Sequence, residues 1–189
     1  MTRDSESLLK EVKQVRAEAD CLVSAEGIEQ ALDNMAAAIT ERLANADPLI
    51  YTIMNGGLVL AGKILPRLDF PLEVAYLHAT RYGHALNGTL LDWRVRPTQD
   101  LRGRNVLVLD DILDEGYTLL AVMEHLRNEG ATEVLSAVLV DKQHDRKAQP
   151  GMRPDFCGLE LPDRFLFGCG MDYKGYWRNA PGIYALKEG

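Results

Sequence analysis

The 189-residue chain is short of cysteine, of long hydrophobic runs and of basic charge, and each shortage removes a class of function. Its three cysteines, Cys21, Cys157 and Cys169, are odd in number and show no Cys-x-x-Cys pairing, which argues against a disulfide framework and against a structural zinc site. No stretch approaches the ~18 consecutive apolar residues of a membrane span, and residues 1–12 are polar and amphipathic where a signal sequence would carry an apolar core. A cytoplasmic protein with no membrane partner is expected. Lys and Arg number 21 against 28 Asp and Glu, a formal net charge of −7. A broad nucleic-acid footprint needs the opposite sign, so no nucleic-acid partner is expected. The four histidines, His78, His84, His125 and His144, show no metal-ligand spacing and read as structural or surface residues.

What is present is a real supply of core, 47% hydrophobic residues, enough for one domain over 1–189. Leu8, Leu9, Val12, Val15 and Ala19 recur at helical spacing, as do Ile28, Leu32, Met35, Ile39 and Leu43 behind a capping Ser24. Two N-terminal helices over about 5–45 follow. From Pro48 to about residue 142 the texture alternates. Short apolar strands (LIYTIM, LEVAYLH, RNVLVLD, EVLSAVLVD) are separated by helix-compatible runs (LVLAGKILPRL, YTLLAVMEHLRNEG), and a polar excursion with a turn at Asn87-Gly88 returns as LLDWRV. Strands that are apolar throughout belong to a parallel sheet covered on both faces, an α/β architecture. Residues from about 150 to 189, rich in Pro, Gly and aromatics, lose the alternation and are expected to form a small hood over the site.

Ligands of such sheets lie beyond the carboxyl ends of the strands, where MNGG (54–57), DDILDEGYT (110–118) and DKQHD (141–145) stand. The middle segment is the informative one, because residues 106–119 combine an anion-shaped turn with four acids and no Lys or Arg. A strand turning into a helix presents free N–H groups and a positive dipole end, so Glu115, Gly116, Tyr117 and Thr118 suit a phosphate. Asp110, Asp111 and Asp114 need donors or positive charge: a sugar diol, a divalent cation, or a base nitrogen losing its proton. A phosphorylated pentose answers both demands. The run GLVLAGKI (57–64) nearly fits a nucleotide-binding phosphate loop, but Ile64 lacks the hydroxyl that Mg2+ needs there and LVLA is apolar at helical spacing.

The segment VLVLDDILDEGYTL resembles the phosphoribosyl-diphosphate signature of type I phosphoribosyltransferases. The tail RPDFCGLELPDRFLFGCGMDYKGYWRN is similar to that of the hypoxanthine-guanine branch. The resemblance implies the type I phosphoribosyltransferase fold, a central mostly parallel sheet flanked by helices with a small C-terminal hood. It implies purine salvage, with 6-oxopurine and phosphoribosyl diphosphate as substrates, Mg2+ as cofactor, and a homo-oligomer, dimer or tetramer.

Carried over position by position, the resemblance gives Asp110 and Asp111 the ribose hydroxyls, directly or through Mg2+, and 114–118 the 5′-phosphate. Asp114 becomes the general acid/base at purine N7. Lys142 would contact the 6-oxo group, Phe165 stack on the base, Leu166 meet its edge through the main chain and Asp172 hold a second metal. Asn55, Gly56, Tyr82 and Arg178 would face pyrophosphate, with a cis peptide expected between Met54 and Asn55. Residues 80–90 sit where the family has a closing loop. The pattern departs at Asn55, where a lysine is usual, and at Glu115, where threonine is usual. Glu115 is therefore expected to point outward. A rival reading, a regulator of this fold that binds nucleotides and RNA with little catalysis, fits the acidic charge and the purine-side residues less well.

Overall fold

The structure, a computed structural model, describes residues 5–81 and 91–187. In chain order the elements are α1 (Ser5–Glu18), β1 (Asp20–Val23), α2 (Ala25–Leu43), β2 (Leu49–Ile53), α3 (Gly57–Ile64), β3 (Glu73–Arg81) and β4 (Leu91–Val95). Then come β5 (Asn105–Leu113), α4 (Tyr117–Asn128), β6 (Glu133–Gln143), β7 (Phe156–Pro162), β8 (Leu166–Phe167) and β9 (Ile183–Ala185). The Asn87-Gly88 turn lies outside the described residues. Ser24 caps α2 as expected, its Oγ accepting the Gly27 N–H at 3.2 Å, and all five apolar positions read from that helix are buried.

Six strands form the main sheet in the order β4-β3-β2-β5-β6-β7. All neighbours run parallel except the edge pair β3–β4. Alternate strand residues serve two cores. Ile50, Leu107, Leu109 and Leu139 pack under α2 and α3, while Tyr51, Leu77, Val106 and Val138 pack with Leu119, Val122 and Leu126 of α4. The continuous apolar strands of the sequence are thus covered on both sides. A second sheet, β1-β9-β8, is antiparallel and forms the hood.

Three details differ from the sequence reading. The hood takes a strand from the N-terminal region: β1 pairs with β9 between the two expected helices. Residues 156–162, placed with the hood, instead form the edge strand β7, where Phe156, Leu159 and Leu161 pack onto the α2 side of the core. Strand β5 does not stop at Asp110 but stays paired with β6 through Leu113↔Asp141, so Asp110 and Asp111 are strand residues. Lys142 likewise lies within β6.

The order of connections places the site. From β2 the chain steps to β3 on one side and later returns to β5 on the other, so the crevice opens between the carboxyl ends of β2 and β5. Those ends carry 54–56 and 114–116.

Candidate active site

Two cavities meet at that crevice. One, of about 350 Å3, lies against Glu115–Leu119 and the start of α4. The other, about 360 Å3, runs between 54–56, Lys142, Phe165, Leu166, Asp172 and Arg178. They share a wall made by Asp110, Asp111, Ile112 and Asp114. Every residue singled out in the sequence for phosphate, sugar, pyrophosphate or base lines one or both, except Tyr82, which lies outside the described residues.

The α4 side of the crevice is built from main chain. Gly116 caps α4 with φ +86°, and a Cβ there would stand 2.6 Å from Leu113 Cδ1 and 2.8 Å from Met152 Sδ, so both conformation and space require glycine. The first bond within the helix runs from Leu120 N–H to Gly116 O at 2.9 Å. The Thr118 and Leu119 N–H groups precede it and have no intrahelical acceptor. Glu115 is exposed, and its carbonyl accepts the Ala148 N–H at 2.7 Å.

On the shared wall, Asp111 N–H donates to Asp110 Oδ1 at 3.0 Å. Burial, then the Asp111 charge, pushes Asp110 well above the usual carboxylate range, and burial pushes Asp111 up as well. The cation facing them is Arg178, 3.7 Å from Asp111 Oδ2. Arg178 is itself committed, donating to Gly170 O at 2.6 Å and pairing with Asp172. Two adjacent carboxyls held in this way suit hydroxyl donors or a divalent cation. Opposite them the Met54–Asn55 peptide is cis, as expected.

Asp114 has a different environment. Burial raises its pKa, but hydrogen bonds from Lys142 Nζ (2.7 Å to Oδ2) and His144 Nε2 (2.7 Å to Oδ1) outweigh it and hold the carboxyl below its ordinary value. Neighbouring acids on one strand end are thus driven apart, one set up and one down, a pattern found where carboxyls divide roles. Phe165, 51% exposed, lines the second cavity and makes a T-shaped contact with Tyr173 at 5.8 Å.

Of the two readings the sequence left for His144, structural or surface, the structure excludes the second. The His144 side chain is 4% exposed and sits on Asp114, not on the surface. Arg146 and Lys147 were missed. Arg146 lines the cavity at the start of α4 and pairs with Asp163 at 2.7 and 3.0 Å. Lys147 donates to Leu113 O and Asp114 O, each at 2.8 Å, and to Asp141 Oδ1 at 2.7 Å. No local motif marks these three; only the fold brings 144–147 against 113–115. Among the described residues the ligating atoms of Asp114, His144 and Asp163 gather within 4.8 Å, whereas Asp110, Asp111 and Asp172 form no such group. Lys142 and Arg146 already neutralise that gathering.

Residues 18–174 match the phosphoribosyl transferase domain. The chain belongs to the phosphoribosyltransferase family. It is 32% identical over 170 residues to the hypoxanthine-guanine phosphoribosyltransferase of Bacillus subtilis, covering 88% of this chain and 92% of that protein. It is 29% identical to the hypoxanthine-guanine-xanthine phosphoribosyltransferase of Tritrichomonas foetus, over 88% and 91% of the two chains. A crystal structure of a Staphylococcus aureus hypoxanthine phosphoribosyltransferase superposes with a TM-score of 0.84 at 24% identity, covering 91% and 94%. The phosphoribosyltransferase match begins at residue 18, so α1 lies almost wholly outside it.

Proposed function

We propose that this enzyme salvages 6-oxopurines, joining hypoxanthine or guanine to phosphoribosyl diphosphate to give the nucleotide and pyrophosphate. The observation that carries this reading is the shared wall: one cavity fits a sugar phosphate, the other a base and a leaving group, and Asp110, Asp111 and Asp114 face both. The relatives named above support an enzyme, and none of them is named as a regulator.

In this reading Glu115–Thr118 hold the 5′-phosphate through main-chain N–H groups, with Glu115 turned outward and Arg146 adding a cation beside them. Asp110 and Asp111 take the ribose hydroxyls. Asn55, Gly56, Tyr82 and Arg178 face pyrophosphate. Phe165 stacks on the base, Leu166 offers its main chain and Lys142 meets the 6-oxo group. The N9 lone pair attacks the anomeric carbon as its bond to the pyrophosphate oxygen breaks, and the N7 proton passes to Asp114, which its two donors keep ionised and ready to accept it. Asp110 and Asp111 would hold Mg2+ and Asp172, which does not gather with them among the described residues, a second metal; a metal bound there would neutralise charge on the leaving group. The adjacent carboxyls of Asp110 and Asp111, faced among the described residues by the Arg178 cation, fit that role.

A cytoplasmic homo-oligomer completes the proposal. Among the described residues no helix is long and apolar enough to cross a membrane. Val74 and Tyr76 are exposed on the face of β3 shared with Ile50 and Thr52, where α3 covers β2 but not β3, and Leu58 of α3 is exposed too. Such uncovered apolar residues suit a subunit contact.

The test is pyrophosphate release from phosphoribosyl diphosphate and Mg2+ with hypoxanthine, guanine and xanthine offered separately. No product with any of them overturns the reading. Asp114→Asn should retain phosphoribosyl diphosphate binding and lose turnover by about 10²-fold or more.

A further inference from the structure

Asp114 is held from two sides, and the two holds are not equivalent. Lys142 lies within reach of both Asp114 (2.7 Å) and Asp163 (3.8 Å) and is also the side chain assigned to the 6-oxo group, so binding of the base redirects part of its donation. His144 has no such second task. Its Nδ1 accepts the Arg146 main-chain N–H at 3.0 Å, which places the imidazole proton on Nε2, and Nε2 stands 2.7 Å from Asp114 Oδ1. The loop bearing this N–H is anchored in turn: the Arg146 guanidinium is bidentate to Asp163, and Lys147 ties the loop to the Leu113 and Asp114 carbonyls.

We propose that His144 is a positioning residue for Asp114: locked as the Nε2–H tautomer by the Arg146 main chain, it fixes the orientation of the carboxylate that receives the N7 proton. The proposal rests on the reading of Asp114 as the proton acceptor. The arrangement follows a known physical logic, in which one ring nitrogen is fixed by a main-chain contact so that the other presents a defined donor. Here the donor keeps Asp114 ionised while Lys142 turns to the base. The lowered pKa of Asp114 agrees with that role. The charged groups around the carboxylate are Lys142 from β6, Arg146 and Lys147 from the following loop, Asp163 after β7 and Glu115 beside it. Of these, Lys142 alone shares with His144 a direct hydrogen bond to it.

The test compares His144→Leu, which removes the donor, with His144→Gln, whose amide nitrogen restores an N–H near the Nε2 position. Each is measured as a pH profile of kcat and of kcat/KM for the base. His144→Leu should lower kcat about 10-fold and move the acid limb up by about one pH unit, with KM for phosphoribosyl diphosphate unchanged. His144→Gln should restore the limb. His144→Leu should cost nothing further in an Asp114→Asn background. An unmoved limb, a Gln variant as impaired as Leu, or an equal loss in both backgrounds overturns the proposal. Should the Leu variant fail to fold, the Gln variant decides: a limb and kcat within twofold of the parent uphold the proposal, and a loss as large as that expected for Leu overturns it. If Asp114→Asn alone keeps full turnover, the reading of Asp114 fails, a result distinct from those.

Discussion

Gly56 and Asp111 are packed so closely that no side chain fits between them: a Cβ built on Gly56 collides with all three atoms of the Asp111 carboxylate. Gly170 crowds the same spot: a Cβ there would stand 2.6 Å from Gly56 O and 3.0 Å from Asp111 Cβ. The 54–56 loop and the acid strand therefore meet at this distance because position 56 is glycine. Gly56→Ala should push Asp111 out of place, and displacement of a substrate-positioning group by about 1 Å costs about 10²-fold in rate. We expect that loss in kcat/KM for phosphoribosyl diphosphate, with a folded protein by circular dichroism. Parental kinetics would mean that Asp111 has room the structure denies it.

Asp110 is retained against its own stability. Burial and then the Asp111 charge raise its folded pKa, whereas in the unfolded chain it ionises near pH 4, as an ordinary Asp does. Folding is thus opposed by ionisation of this group, and the opposition grows as pH rises from about 4 through the raised folded value. In the absence of ligand and divalent cation, Asp110→Asn should melt above the parent at pH 7, with the gap closing as pH falls toward 4. The amide oxygen can still accept the Asp111 N–H, so the local strand geometry survives. A thermal scan at both pH values decides it: an equal or lower Tm at pH 7 contradicts the argument.

Lys147 links the turn before α4 to the sheet through two main-chain carbonyls and the Asp141 carboxylate, which is 1% exposed. Breaking a buried pair by removing one partner leaves the other charge uncompensated. Arg153, 2.6 Å from Asp141, softens the loss here. Lys147→Met should cost about 3 kcal/mol, the low end for such a deletion. At this chain length that corresponds to a Tm lowered by roughly 6–12 °C. Substrate phosphate should bind more weakly, because the 113–116 turn is no longer held. A Tm within 2 °C of the parent would show the three bonds to be replaceable.

How much of this was visible in the sequence depends on the range of the interaction. The apolar runs that became β2, β5 and β6 and the helix pattern of α4 are local, and their burial on both faces follows from composition. Glu115–Thr118 read correctly as a strand-to-helix turn for the same reason. Strand β1 is four residues of DCLV that pair only because the tail folds back over them, and β7 owes its place to β6. Asp110 and Asp111 are poor strand formers, yet β5 continues through them because the ladder with β6 does. His144 lies thirty positions from Asp114, and the bond between them is set by the parallel register of β5 and β6. A run of charged residues after a strand looks like solvated surface until its partners are known.

The element outside the family match makes the last prediction. Helix α1 is fastened to the tail segment between Asp172 and Arg178: Trp177 Nε1 donates to Val12 O at 2.7 Å, and Tyr173 donates to Glu11 at 2.7 Å beside a Lys174–Glu11 ion pair. The Arg16 guanidinium also lies 3.6 Å over the Tyr184 ring of β9. Tyr173 in turn meets Phe165, so the helix braces both the Asp172–Arg178 pair and the ring proposed to stack on the base. Removing residues 1–17 should therefore loosen binding of both substrates, raising each KM several-fold, while kcat changes less because Asp114 and its donors are untouched. Trp177→Phe isolates one fastening and should lower stability by roughly 1 kcal/mol through the lost hydrogen bond, with a smaller rise in KM. If the truncated enzyme binds both substrates as the parent does, α1 is a passive addition and the tail holds its own shape.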